Sequence, residues 1–312
     1  MSNSTVVLRN ITNTSIAIYP TILRDFGLVV GFLTLINNGI LFLIMVSSKS
    51  LKTNSNMIIS SLFIIGVFYS SIYVIPSFAL SHFLLGKFCA ISNAIGISLV
   101  LNYNLHQCLI SVDRFLAVRW PHHYKTLKAK HYAVIILLVW LDALASQTIP
   151  LLTFRRSQLQ DCRIHLASLQ AELLYVFWVF IFWYLVPLLI MITCYFYIIY
   201  FIYKRRIQIN PRSRIFVYQK SITAKDNAFQ ATIQMALLAG IFFVSMAPFI
   251  CIITLSTAIL TRPEVEVYIK VSYIITLCFP AINPILYAYF VTGIRQVVNM
   301  KVKSIRKFLI RN

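Results

Sequence analysis

The residues best able to do chemistry stand at the ends and in the middle of long apolar runs. Asp113-Arg114-Phe115 closes one run, and Asn283-Pro284-Ile285-Leu286-Tyr287 lies near the end of another. An unpaired charge at the edge of an apolar medium is costly, so adjacent carboxylate and guanidinium groups read as a held ion pair. The run that Asp113 closes also carries Asn102, Asn104, His106 and Gln107, which must find partners if they are buried. Asp142 is a further acid inside an apolar stretch. A His106–Asp142 pair is one arrangement, and separate local hydrogen bonds are the other. None of this has a catalytic pattern: there is no exposed nucleophile–base arrangement and no metal-ligand cluster, so no enzyme is expected. The six cysteines include no C-x-x-C pair, and neither a metal nor a cofactor is implied.

The elements that must position these groups follow from composition. Of 312 residues, 59% are hydrophobic and 12% charged, too few charges to clothe a soluble surface. With 8 glycines and 10 prolines the chain is not low-complexity either. This is the composition of an integral membrane protein. A helix needs about 20 apolar residues to cross a bilayer core. Seven stretches qualify: 26–47, 57–81, 88–112, 132–154, 173–203, 228–261 and 267–291. The expected fold is an all-α membrane protein, a seven-transmembrane helix bundle. No repeat links its halves and only the third span is rich in polar groups, which fits a transporter poorly.

The net charge of +20 comes from 28 Lys+Arg against 8 Asp+Glu. These basic residues lie in short clusters between apolar runs, a pattern of membrane loops rather than of nucleic-acid binding. Arg9, Arg24, Lys87, Arg155, Arg156, Arg163, Arg262 and Lys270 fall on one side, and the remaining twenty fall on the other. Positive charge concentrates on the cytoplasmic side, so the N-terminus is expected outside. Three sequons, at Asn3, Asn10 and Asn13, agree with that side. Cys89 and Cys162 fall near span ends on the same side. The organisation is then an extracellular glycosylated segment, 1–23, a seven-span domain, 24–291, and a cytoplasmic tail, 292–312. Apolar and basic residues alternate along the tail at roughly helical spacing, which suits a short amphipathic helix on the membrane lipids.

The two short motifs resemble the D-R-Y and N-P-x-x-Y signatures of rhodopsin-like (class A) G-protein-coupled receptors, on the matching spans and the matching side. Asn38 matches the family's first-span asparagine, with Asn37 where a glycine usually precedes it. Trp140, Pro150, Pro187, Tyr195, Phe242 and Pro248 match positions on the fourth, fifth and sixth spans. Cys89 lies 25 residues before Arg114, the family spacing for the cysteine that bonds the second outer loop, where Cys162 is the lone cysteine. The resemblance covers residues 24–300.

What the resemblance implies is a receptor that passes an extracellular ligand's signal to a heterotrimeric G protein at the plasma membrane. Asp113 and Arg114 would form the resting switch, and Tyr195, Phe242, Asn283, Pro284 and Tyr287 would join them in coupling and activation. Cys89 and Cys162 would form a disulfide. The basic stretch 204–225, with seven Lys and Arg, would face the partner and acidic lipid headgroups. Thr292 and Ser304 are the tail's hydroxyls, so phosphate-dependent arrestin recruitment is expected to be weak.

Several positions depart from the family pattern. Gly66 stands where the family has a second-span aspartate, with Tyr103, Phe279 and Pro280 at the positions of its ion-binding partners. No sodium site is expected, because a buried cation would lack its counter-charge. Met246 replaces the sixth-span tryptophan, and Ala228 replaces the acid at that helix's base, so the lock from there to Arg114 is in doubt and basal activity is expected. Gly96 occupies the position of the amine-pairing aspartate and Leu277 that of the retinal-binding lysine, so neither ligand class is implied. Asn93, Gly96, Ile97, Gln147, Phe249 and Tyr273 would line a mostly neutral, partly aromatic pocket. A receptor-like chain that no longer couples, serving as a decoy or partner, is the competing reading.

Overall fold

The computed structural model describes residues 2–79, 87–153, 168–208, 234, 236–252, 254 and 263–311, with most of their side chains from Ile22 onward. The chain is helical throughout these residues, as lipid requires: an apolar run can satisfy its backbone N–H and C=O groups there only within itself. Helix α1 (Ser2–Ser47) is followed by a 3-10 turn at Lys49–Leu51. The second span is assembled from α2 (Asn54–Phe68), a π-helical stretch at Tyr69–Val74 and α3 (Ile75–Ala79). Then come α4 (Lys87–Arg119), the short α5 (Pro121–Thr126) and α6 (Ala129–Thr153). The fifth span joins α7 (Leu169–Val179), a second π-helical stretch at Phe180–Leu185 and α8 (Val186–Gln208). Last are α9 (Ala236–Ile252), α10 (Pro263–Phe290) and α11 (Thr292–Arg311).

Six helical stretches among the described residues are long and apolar enough to cross a membrane: Ile22–Ser47, Asn54–Ala79, Ile91–Arg119, Ala129–Pro150, Leu173–Phe201 and Val271–Phe290. The shorter apolar α9 falls within the sixth stretch read from the sequence, 228–261, whose remaining parts lie mostly outside the described residues.

Local signals explain where helices start. Thr53 caps α2 by accepting the Asn56 N–H, Ser168 caps α7 by accepting that of Ala171, and Pro121 opens α5, where its missing N–H is not needed. The packing is that of a membrane bundle, with apolar side chains such as Leu43, Leu137, Phe196 and Val244 on the outside. The polar Asn38, Asn102, Asn104, His106, Gln107 and Asn283 are turned inside. Helix α4 runs through the middle against α2, α6 and α8, while α1 packs on α2 and α10. After a break at Val291, α11 turns its Ile294 and Val297 into the core and is tied to the end of α1 by Lys301 Nζ donating to Ser47 Oγ at 3.0 Å.

Candidate functional site

Near the C-terminal end of α4, Asp113 is buried and fully engaged. Its Oδ2 accepts a 2.6 Å hydrogen bond from Ser55 Oγ, and its Oδ1 accepts from Tyr132 at 2.7 Å and Tyr124 at 3.0 Å. Arg114 Nε lies 3.6 Å from Asp113 Oδ2, and the guanidinium also donates to Ser55 Oγ. One serine hydroxyl thus bridges the acid and the base. Each partner comes from a different element: Ser55 from the first turn of α2, Tyr124 from α5 and Tyr132 from the first turn of α6. The sequence singled out the acid and the base. It missed Ser55 and Tyr132, because hydroxyls on other spans announce themselves only once helix rotation is known.

One layer deeper, Asn283 and Tyr287 of α10 are clasped by α4. Asn283 donates its side-chain amide to the Tyr103 hydroxyl, and Tyr287 OH donates to Gln107 Oε1 at 3.4 Å. Tyr103 packs its ring on Phe242 at 5.3 Å and Phe279 at 6.2 Å, and those two rings meet at 4.9 Å. Tyr195 and Met246 are buried in the same core. Helix α1 completes the layer. Pro284 has no N–H to give the carbonyl four residues earlier, and Asn38 Nδ2 donates to that Pro280 carbonyl at 2.9 Å. Asn37 reaches the neighbouring Ala281 carbonyl, also at 2.9 Å. The asparagine in place of a glycine therefore carries a second tether to α10.

Gly66 lies directly against Asn38: any side chain there would overlap the Asn38 carboxamide. The missing second-span acid is thus matched by a neighbour that fills its space.

His106 does not pair with Asp142. Its Nε2 meets Ser61 Oγ at 2.9 Å and its Nδ1 meets the Asn102 carbonyl at 2.9 Å. Trp140 Nε1 donates to the same Ser61 oxygen at 3.0 Å, so the serine gives its proton to Nε2 and Nδ1 carries the ring's own. Asp142 instead lies on the exposed face of α6. Trp140, two residues earlier, faces inward, and the helical turn between them carries the carboxyl away from the bundle. An ionised aspartate at the centre of a membrane helix is unfavourable by about 2.5–3.5 kcal/mol on insertion scales.

In the half of the bundle away from Asp113, the structure gathers some of the expected pocket residues and separates others. Tyr73, from the π-helical stretch, lays its ring in the space that Gly96 leaves open and accepts a 3.1 Å hydrogen bond from Tyr273 OH. Tyr273 stacks obliquely on Phe249, with ring centres 5.5 Å apart. Gly96, Tyr273 and Phe249 therefore form one cluster, organised by a tyrosine that the sequence reading did not name. Gln147 lies elsewhere, accepting from Tyr175 OH at 2.5 Å, and Ile97 faces outward. Asn93 is half-buried on α4. Cys162, Ala228 and the basic stretch 209–225 lie outside the described residues, as do the side chains of Cys89, Asn3, Asn10 and Asn13.

Comparison with known proteins places this geometry. The profile of the 7 transmembrane receptor (rhodopsin family) matches residues 37–287. The alpha-2B adrenergic receptor of Oryctolagus cuniculus is 30% identical over 188 residues, covering 58% of this chain and 47% of that protein. The same receptor from Cavia porcellus is 30% identical, over 58% of this chain and 41% of its own length. The chain thus spans less than half the length of these relatives. In fold it is similar to squid rhodopsin, with a TM-score of 0.75 at 17% identity over 93% of this chain and 86% of that one. A seven-helix arrangement with Asp113-Arg114 and Asn283-Pro284 on the matching helices, and a family profile that spans most of the chain, lead to one conclusion: the chain belongs to the rhodopsin family of seven-transmembrane receptors.

Proposed function

We propose that this receptor sits in the plasma membrane with its N-terminus outside and passes the signal of an extracellular ligand to a heterotrimeric G protein. The observation that carries the reading is the Asp113–Arg114 pair, held at the inner end of α4 by hydroxyls from α2, α5 and α6. In the proposed cycle the inner end of the sixth span moves outward, and Arg114 leaves Ser55 and Asp113 to meet the G protein. Asn283, Pro284 and Tyr287 exchange their partners on α4, with Tyr195 and Phe242 repacking beside them. Such a two-state element is biased from both ends, by ligand outside and by transducer inside. Cys89 and Cys162 form the outer disulfide, Asn3, Asn10 and Asn13 carry glycans, and membrane lipids hold α11. The ligand is neutral where it meets Tyr73, Tyr273 and Phe249, since no acid stands at Gly96 to pair with an amine.

The test is basal and transducer-dependent signalling in cells, comparing the parent with Arg114→Ala at matched surface level. A basal signal that falls in the variant supports coupling. A silent parent with every G-protein class supplied, and no response to any ligand screened, favours the non-coupling receptor.

A further inference from the structure

Two prolines carry the same device. The second and fifth spans each contain a π-helical stretch, Tyr69–Val74 and Phe180–Leu185, and each stretch ends two residues before a proline, Pro76 and Pro187. In each, the closing N–H reaches five residues back, from Ile75 to the Ser70 carbonyl and from Val186 to that of Ile181. A regular helix would give those two N–H groups to Ser71 and Phe182, so each π turn forgoes a helical bond. The proline, with no N–H, then leaves the carbonyl four residues before it without a backbone donor.

Helix α4 answers both freed carbonyls. Ser92 Oγ donates to the Ile72 carbonyl, four residues before Pro76, at 3.1 Å. Asn104 Nδ2 donates to the Trp183 carbonyl, four residues before Pro187, also at 3.1 Å. Asn104 is fully buried, so an apolar residue in its place would leave the Trp183 carbonyl unpaired inside the bundle. The bond also rewards the π form over the regular one. If the turn relaxed, the segment on its N-terminal side would move by one position, about 100° around the axis, and the Trp183 carbonyl would leave Asn104.

What depends on this register is the face that the fifth span presents. With the π turn in place Trp183 and Tyr184 are buried, and Tyr184 OH donates to the Phe243 carbonyl at 3.2 Å. Further along, Tyr175 OH reaches Gln147. Each of these contacts is lost if the helix turns by one residue.

We propose that Asn104 is a positioning residue: by serving the carbonyl that Pro187 frees, it holds the fifth span in its π register and so sets which side chains of α7 a ligand meets. That a ligand is read there rests on the receptor function proposed above, whereas the register belongs to the helix and is measured without ligand or G protein.

The test is the thermal unfolding midpoint of the purified full chain. Exchanging Tyr175 and Val176 (Tyr175→Val with Val176→Tyr) breaks the Gln147 bond in the π register and should lower the midpoint by about 2–4 °C, as for one lost hydrogen bond. Asn104→Leu should lower the midpoint by itself and let the turn relax to a regular helix, in which position 176 takes the place of 175. In that background the same exchange should raise the midpoint. Pro187→Ala reaches the same register from the other side of the bond, by giving the Trp183 carbonyl a backbone N–H. There too the exchange should stabilise, and adding Asn104→Leu should cost little more, so the outcome does not hang on the folding of one variant. An exchange that lowers the midpoint as much in these variants as in the parent overturns the proposal, and so does an Asn104→Leu protein as stable as the parent.

Discussion

Asn38 of α1 and Gly66 of α2 occupy one space between them: the carboxamide lies where a side chain on Gly66 would have to go. Asn38 is held there by its bonds to the Thr34 carbonyl at 2.8 Å and the Pro280 carbonyl at 2.9 Å. Restoring the family's acid by Gly66→Asp is therefore expected to damage the bundle. Overpacking a fitted core typically costs about 1–3 kcal/mol, and here it would also displace the group that serves the Pro280 carbonyl. Thermal unfolding of the purified protein should show a clear drop for Gly66→Asp and a smaller one for Gly66→Ala. An unchanged midpoint for both would mean that Asn38 moves aside freely.

The same layer predicts indifference to sodium. Tyr103 fills the centre with its ring and takes the Asn283 amide on its hydroxyl, and the groups facing the space are neutral. A buried cation there would have oxygen neighbours but no carboxylate. Thermal stability should be the same in sodium chloride and in choline chloride at equal ionic strength, and a stabilisation specific to sodium would refute this.

Around Asp113 the expected effects run in the opposite direction. Ser55, Tyr124 and Tyr132 all donate to the carboxylate that restrains Arg114. Hydrogen bonds to charged groups contribute about 1.5–3 kcal/mol each, so losing one shifts a two-state balance by roughly tenfold or more. Tyr132→Phe removes the shorter tyrosine bond without opening a cavity. It should raise basal signalling several-fold, and Tyr124→Phe, with the longer bond, should raise it less. Ser55→Ala removes a contact to both Asp113 and Arg114 and should have the largest effect. Adding Arg114→Ala should return every one of these to background in a second-messenger assay.

These residues show how far the sequence was legible. Seven apolar runs and two short motifs obey local rules, the length of a bilayer core and a fixed order of residue types, so they could be read directly. The orphaned Pro280 carbonyl was foreseeable in kind, because Pro284 lacks an N–H. That Asn38 would answer it depends on how α1 rotates against α10, which packing decides. Helix α6 gives the plainest case. It is apolar nearly all round, so its periodicity does not separate lipid from core, and Asp142 could be assigned to His106 until the rotation of the helix set them apart. Tyr73 was hidden for another reason: a π-helical turn shifts the face that follows it, and regular 3.6-residue spacing does not foresee that shift.

Tyr73 also sets the last prediction, on what the aromatic cluster over Gly96 refuses. Its ring fills the space above Gly96 and its hydroxyl is joined to Tyr273, which in turn packs on Phe249. An aspartate introduced by Gly96→Asp would meet that ring and would sit among aromatic groups. The expected result is a poorly folded receptor with low surface expression. The suppressor follows from the same contact: Tyr73→Ala in the Gly96→Asp background removes the overlapping ring and should recover surface expression. Alone, Tyr73→Ala should lower stability by about 2–4 kcal/mol, within the usual range for truncating a large packed side chain. Surface labelling of the four proteins, parent, each single variant and the double, decides the matter. If the double variant expresses no better than Gly96→Asp, the ring over Gly96 is not what keeps an acid out of this cluster.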